Sequence, residues 1–170
     1  MLTTLVVPAL VSCFLTPLCT CVLEPRLSTQ AAVEAALHAS SAVFEGVIDR
    51  IDCVAVTFAL DSATPARVWR STDAIATVRV RRHWKGTLDR TVVVRTSAET
   101  TMCGASLMEG RAYLIFGQSP TQSGRGAATP VQRGDTVLTS KCTLTTGVRR
   151  EMRSIIGLLG QPAKSSVPEA

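Results

Sequence analysis

The sequence predicts a mainly β domain, built as a five-stranded barrel with a helix near each end. Three observations predict this class. Five segments are rich in Val, Ile, Leu and Phe and are separated by residues that favour turns. Two further segments have apolar residues at helical spacing, one before the first strand and one after the last. Hydrophobic residues are 46% of the 170 residues and charged residues 18%, which suits one domain with a real core.

The first helix is predicted at residues 31–39, where strong helix formers follow Ser28, a residue type that favours the N-cap. The first strand is predicted at residues 42–60, where polar and apolar residues roughly alternate. Gly46 within it is expected to allow the bend that a small barrel needs. Residues 61–73 contain Pro and Ser and predict a loop.

The remaining elements follow the same logic. Alternation and β-branched residues predict four more strands, at residues 74–84, 91–96, 112–117 and 135–142. The Gly-, Ser- and Pro-rich residues 119–134 predict a mobile connection between the last two. Apolar residues at helical spacing predict a helix at 148–159, with Gly160 as its C′ residue. Five strands at short spacing predict a partly closed Greek-key barrel of the OB type, an OB-fold.

The first 18 residues carry no charge. Their apolar run, residues 5–18, is short and contains Pro8 and Pro17, so it does not predict a stable helix across a bilayer. It predicts a signal peptide at residues 1–18, followed by a mature domain at 19–160 and a flexible tail at 161–170. The expected location is therefore secreted, either extracellular or in the cell envelope.

A competing interpretation places a lipid at the N-terminus. Residues 10–13, Leu-Val-Ser-Cys, fit the loose pattern of a bacterial lipoprotein box, in which the cysteine becomes the lipidated first residue. The apolar region before Cys13 is short for such a signal. A lipid on Cys13 would anchor the protein to a membrane without a membrane span.

The formal net charge of +5 is spread as single arginines and short pairs such as Arg81-Arg82 and Arg149-Arg150. This pattern is typical of a solvated basic surface, because no long basic block of the nucleic-acid-binding kind is present. Basic residues between Arg79 and Lys85 would suit an oligonucleotide, but secretion, disulfides and an aromatic content of 4% argue against it. We expect no nucleic-acid partner.

The sequence carries no enzyme signature. Its two histidines, His38 and His83, lie outside any metal or catalytic-triad motif, and no glycine-rich loop is suited to hold phosphates. We therefore expect a protein that is not an enzyme and has no cofactor of its own.

Six cysteines stand at positions 13, 19, 21, 53, 103 and 142. In a secreted protein pairing is the default, and if Cys13 leaves with the signal one of the other five must be spare. Two bridges could pin the N-terminal arm, with its Cys19 and Cys21, across the barrel. A zinc site built from Cys19, Cys21, Cys103 and Cys142 is the alternative, but zinc-ligand pairs are usually spaced C-x2-C or wider. Cys53 is predicted to be a buried free thiol, or else an intermolecular bridge.

Several short motifs occur in an order that resembles a known family. They are Cys19-Thr20-Cys21-Val22, a short helix, residues 42–47 (AVFEGV), Trp84-Lys85-Gly86, Cys103-Gly104, residues 113–117 (YLIFG) and Cys142. This arrangement resembles the N-terminal domain of tissue inhibitors of metalloproteinases and the bacterial secreted proteins that share their netrin-like fold. The likeness runs from Cys19 to Cys142.

The resemblance implies a TIMP-like, netrin-like OB barrel with bridges Cys19–Cys103 and Cys21–Cys142. It also implies metalloprotease inhibition, in which the α-amino group and carbonyl of Cys19 chelate the zinc of a secreted or surface protease. That zinc belongs to the target, so none is a cofactor of this chain. By the same resemblance Thr20 would enter the protease pocket, flanked by Val22, Thr101 and Met102.

This sequence departs from the animal inhibitors, which have a third bridge in this domain and a second disulfide-rich domain. The netrin-like fold also occurs in proteins that inhibit nothing. The alternative function is therefore a cell-envelope or extracellular protein-interaction module. Such a module is compatible with a lipid on Cys13. The mature N-terminus discriminates the two, because the inhibitor requires Cys19 to be first and unblocked.

Overall fold

The computed structural model describes residues 30–59, 68–99, 103–120, 128–147 and 149–163. In chain order the elements are α1 (Gln30–Ala39), β1 (Ala42–Ala59), β2 (Val68–Lys85), β3 (Thr91–Ser97), β4 (Ala112–Gly117), β5 (Val137–Leu138) and α2 (Arg149–Leu159). The predicted signal peptide lies outside the described residues, and so does the predicted tail from residue 164 onward. No helix in the described part of the chain is long and apolar enough to cross a membrane.

The five strands form one curled mixed sheet, a half-barrel, in the order β4-β1-β2-β3-β5. All neighbouring strands are antiparallel except β5, which runs parallel to β3. Beyond the end of β4, Gln118 and Leu138 exchange two backbone hydrogen bonds of 2.8 Å each. This bridge brings the end of β4 back to β5, so the two edges of the sheet approach each other there.

Strands β1 and β2 approach each other closely at Gly46. The pairing register shifts between Glu45 and Gly46, an irregularity of the kind that accompanies a bend in a strand. A Cβ at this glycine would lie 2.5 Å from Cγ1 of Val78 and 2.9 Å from the carbonyl oxygen of Arg79. Only a residue without a side chain fits between the two strands at this point.

Alternate residues of β1 and β4 enter two different cores. The inner face of the curled sheet buries one cluster, which includes Phe44, Ile48, Val78, Val94, Ile115 and Val137. The outer face packs against the two helices and buries a second cluster, which includes Val33, Val43, Leu114, Phe116, Met152 and Ile155. Because both faces are covered, β4 is apolar along nearly its whole length rather than alternating.

The Trp84-Lys85-Gly86 motif attaches both helices to the sheet. Lys85 Nζ donates hydrogen bonds to the carbonyls of Leu37 at 2.9 Å and His38 at 3.1 Å, in the last turn of α1. Trp84 Nε1 donates to the carbonyl of Gly160 at 3.0 Å, just after α2. Partial burial lowers the pKa of Lys85, but its contacts with the carbonyl end of the helix favour the charged form.

The structure corrects two of the predicted boundaries. The predicted loop at 61–73 is wrong over 68–73, because β2 already begins at Val68 and pairs with β1 as far as Ala59. The predicted strand at 135–142 is also too long, since β5 contains only Val137–Leu138. Ser140 ends it by turning the chain: its carbonyl accepts hydrogen bonds from the amide of Thr143 at 3.3 Å and from its hydroxyl at 2.8 Å.

The other predicted elements are confirmed to within one or two residues. Both helices form, and Gly160 follows α2 with a φ of 71°, as a C′ glycine does. Residue 148, the predicted start of the second helix, and Ser28 lie outside the described residues.

Candidate functional site

Two cysteine-bearing segments lie side by side at one end of the sheet. Cys103 follows β3 in the chain, and Cys142 follows β5. The backbone amide of Lys141 donates a hydrogen bond of 2.8 Å to the carbonyl of Cys103. The fold therefore places Cys103 next to the residue that precedes Cys142, although the two cysteines are far apart in the sequence.

The backbone around Cys103 is tightly constrained. Cys103 has a φ of 60°, and it is the only non-glycine residue with a positive φ among the described residues. Gly104 is buried, and its amide donates to the carbonyl of Glu99 at 3.2 Å. The amide of Ala105 donates to Oγ1 of Thr96 at 2.9 Å, which attaches the segment to β3. These two hydrogen bonds fix the segment that directly follows Cys103.

Hydroxyl groups fix the segment around Cys142. The Oγ1 atoms of Thr139 and Thr145 are 2.7 Å apart, and those of Thr143 and Thr145 are 2.9 Å apart. Thr139 and Thr145 also donate to the carbonyl of Phe116, at 3.1 and 3.2 Å. This network ties the loop that carries Cys142 to the end of β4.

A hollow of about 240 Å³ adjoins the two segments, and residues of both line it. Ala105 comes from the segment after Cys103 and Lys141 from the segment before Cys142, and Tyr113 of β4 also lines the hollow. The hydroxyl of Tyr113 donates to the carbonyl of Ser106 at 3.1 Å. Sequence reasoning missed this hollow. Its one signal was Tyr113, the only tyrosine of the chain, in an otherwise apolar strand.

Most residues of the predicted site lie outside the described residues, namely Cys19, Thr20, Cys21, Val22, Thr101 and Met102. Cys103 and Cys142 are described, and neither is a free thiol. Their predicted partners, Cys19 and Cys21, are not described, so the pairing stays a prediction. The alternative zinc site and the alternative lipid on Cys13 likewise involve undescribed residues.

The prediction of a buried Cys53 is wrong. Cys53 is free, but it is exposed. The reason is its place in the sheet: β4 pairs with β1 only as far as Val47, so within the described residues no strand pairs with the second half of β1 on that edge. Alternating apolar residues there do not mark a covered face.

Neither of the two histidines lines the described hollow. His38 is exposed at the end of α1, and His83 is half-buried on β2. Across the described residues, no group of three or more His, Cys, Asp and Glu side chains is placed to hold a metal ion.

Comparison with known proteins adds no relative: no family model matches the chain, and no curated protein matches its sequence.

Proposed function

We propose that this chain is a secreted, disulfide-linked binding domain that inhibits a zinc metalloprotease through the free α-amino group of Cys19. The observation that carries the proposal is the adjacency of Cys103 and Lys141, joined by a backbone hydrogen bond of 2.8 Å. The mechanism requires Cys103 and Cys142 near each other, because bridges to Cys19 and Cys21 must hold one short N-terminal segment between them.

The proposal includes an OB-type barrel. Two features of the curled sheet support it: β5 runs parallel to β3, and Gln118 bridges to Leu138. A partly open Greek-key barrel of five strands has its edges close together in this way. The family resemblance of the sequence implies the same fold.

The chemistry of inhibition is simple coordination. An α-amino group has a pKa of about 8, so a useful neutral fraction is present at physiological pH. Zinc accepts nitrogen and oxygen ligands, and catalytic sites keep an open position for water or substrate. The amine and carbonyl of Cys19 would occupy that position and displace the water that attacks the substrate.

The neighbouring residues would supply affinity and specificity. Thr20 would enter the protease pocket beside the zinc, with Val22, Thr101 and Met102 flanking it. The bridges to Cys103 and Cys142 would hold these residues in the bound shape before binding, which lowers the conformational entropy lost on association. The constrained turn at Cys103, with its φ of 60°, is suited to such an anchor.

The proposal is tested by moving the amine by one residue. One protein begins at Cys19 and the other carries one extra alanine before it; both are assayed against a panel of secreted zinc metalloproteases. We expect the first to inhibit at least one of them about 100-fold more strongly than the second, a difference of ~2.7 kcal/mol.

A thermal melt shows that both proteins fold, and a serine protease is the control that neither should inhibit. Equal inhibition by the two proteins would contradict chelation through Cys19. Absence of inhibition across the panel by the folded first protein would contradict the inhibitor and favour the interaction module.

A further inference from the structure

A second recess lies between the sheet and α2, and it shares only Gly147 with the hollow beside the cysteine segments. Its volume is about 760 Å³, within the range of ~300–1,000 Å³ typical of small-molecule sites. Strands β1, β2 and β4, the turn before β4 and helix α2 all contribute to its walls. The charged side chains that line it are Glu45, Arg81, Arg82, Arg111, Arg149 and Arg153. We call it the arginine groove.

The groove has a strong excess of positive charge. Five arginines line it against one glutamate, a formal charge of +4. The side chain of Glu45 is only 11% exposed and is already engaged: its carboxylate accepts from Arg82 Nε at 2.5 Å and lies 4.0 Å from Arg81 Nη1. Within the described residues, no carboxylate pairs with Arg111, Arg149 or Arg153.

One of the guanidinium groups is held in place before any ligand binds. Arg82 lies between the carboxylate of Glu45 and the ring of Trp84, with its Cζ 5.4 Å from the ring centroid. Trp84 is itself hydrogen-bonded to the carbonyl of Gly160. A guanidinium held by a carboxylate and an aromatic face keeps N–H donors free for a ligand and loses little entropy on binding.

The backbone that carries the other arginines is also fixed. The carbonyl of Arg111 accepts a hydrogen bond of 3.0 Å from the amide of Ile48, which attaches the turn to β1. Arg149 and Arg153 are four residues apart on α2, so they lie on one helix face. Glu151, the acidic residue between them, accepts from the hydroxyl of Thr146 at 2.7 Å and does not line the groove.

We propose that the arginine groove binds a compact anion that carries two or more phosphate or sulfate groups. Guanidinium forks bind such tetrahedral oxyanions through paired hydrogen bonds. Several negative charges are needed to balance the positive charge of the groove. A recess of this volume can hold that many charges only if they belong to one compact molecule. An acidic peptide carries one charge per side chain, and a nucleic-acid strand needs a longer track with aromatic residues on which bases stack. This proposal does not depend on protease inhibition.

Helix α2 offers a matched pair of variants for the test. Arg153 lines the groove, whereas Arg150 is exposed on the same helix and does not. Binding of tripolyphosphate and of sucrose octasulfate is measured by titration calorimetry at low ionic strength. We expect at least one probe to bind saturably. Arg153→Gln should weaken the affinity for that probe about tenfold, whereas Arg150→Gln should change it by less than about twofold.

Arg111→Gln provides an independent variant, because Arg111 lies before β4 rather than on α2; it should weaken binding as Arg153→Gln does. The two probes distinguish a phosphate ligand from a sulfate ligand, and thermal melts of all variants should match that of the unaltered protein. The proposal is overturned if neither probe binds, or if Arg150→Gln weakens binding as much as Arg153→Gln. It is also overturned if a tetraglutamate peptide binds more tightly than both probes.

Discussion

Replacing Phe44 with alanine is expected to lower the free energy of unfolding by about 3–5 kcal/mol. Phe44 lies on β1 at the inner face of the curled sheet, is fully buried, and belongs to the inner cluster with Val78, Val94 and Ile115. Truncation removes the apolar surface of the ring from the core and leaves a cavity that the paired strands cannot close. Domains of this size are stable by only about 5–15 kcal/mol, so the loss is a large share.

Urea denaturation of the oxidised protein measures the change, with Val93→Ala as the control. Val93 is a strand residue of β3 but is 41% exposed, so its truncation should change the unfolding free energy by less than about 0.5 kcal/mol. If Phe44→Ala behaved like Val93→Ala, the inner face of the sheet would not be the core of this domain.

Gly104→Ala is expected to destabilise the protein by about 3 kcal/mol or more, at the upper end of what overpacking produces. A Cβ at this position would overlap the carbonyl oxygen of Ser97 and lie 2.9 Å from that of Glu99. Both are backbone atoms, so no side chain can rotate away to make room. The backbone would have to shift where Cys103 is presented, and a lower melting temperature by circular dichroism should report it.

Gly157→Ala is the matched control for this substitution. Gly157 lies within α2, and a Cβ there meets nothing within 4 Å. Alanine has the higher helix propensity by about 1 kcal/mol, so Gly157→Ala should leave the melting temperature unchanged or raise it. A similar loss of stability in both variants would contradict the tight packing of Gly104 against Ser97 and Glu99.

The elements with strong local patterns could be predicted from the sequence. β-Branched residues identified β3, an apolar run identified β4, and helical spacing identified α1 and α2. The start of β2 could not be predicted, because residues 70–73 are polar and become a strand through pairing with β1. The length of β5 could not be predicted either. The strand ends at the turn at Ser140, but the residues on both sides of this turn alternate as they would in a strand.

The candidate sites depend on contacts between distant segments, which a single sequence does not reveal. The pairs Arg81-Arg82 and Arg149-Arg150 were visible in the sequence and were interpreted as solvated surface. Only the fold brings Arg82 and Arg153 to one groove and turns Arg150 away from it. The adjacency of Cys103 and Lys141 likewise follows from the positions of β3 and β5 in the sheet.

The most direct test of the proposed function is intact-mass and disulfide-peptide analysis of the protein secreted by its native host, with and without reduction. We predict a chain that begins at an unmodified Cys19, gains two hydrogens per bridge on reduction, and yields linked peptides that join Cys19 to Cys103 and Cys21 to Cys142. A lipid on Cys13, residues retained before Cys19, or a bridge between Cys103 and Cys142 would contradict zinc chelation by Cys19.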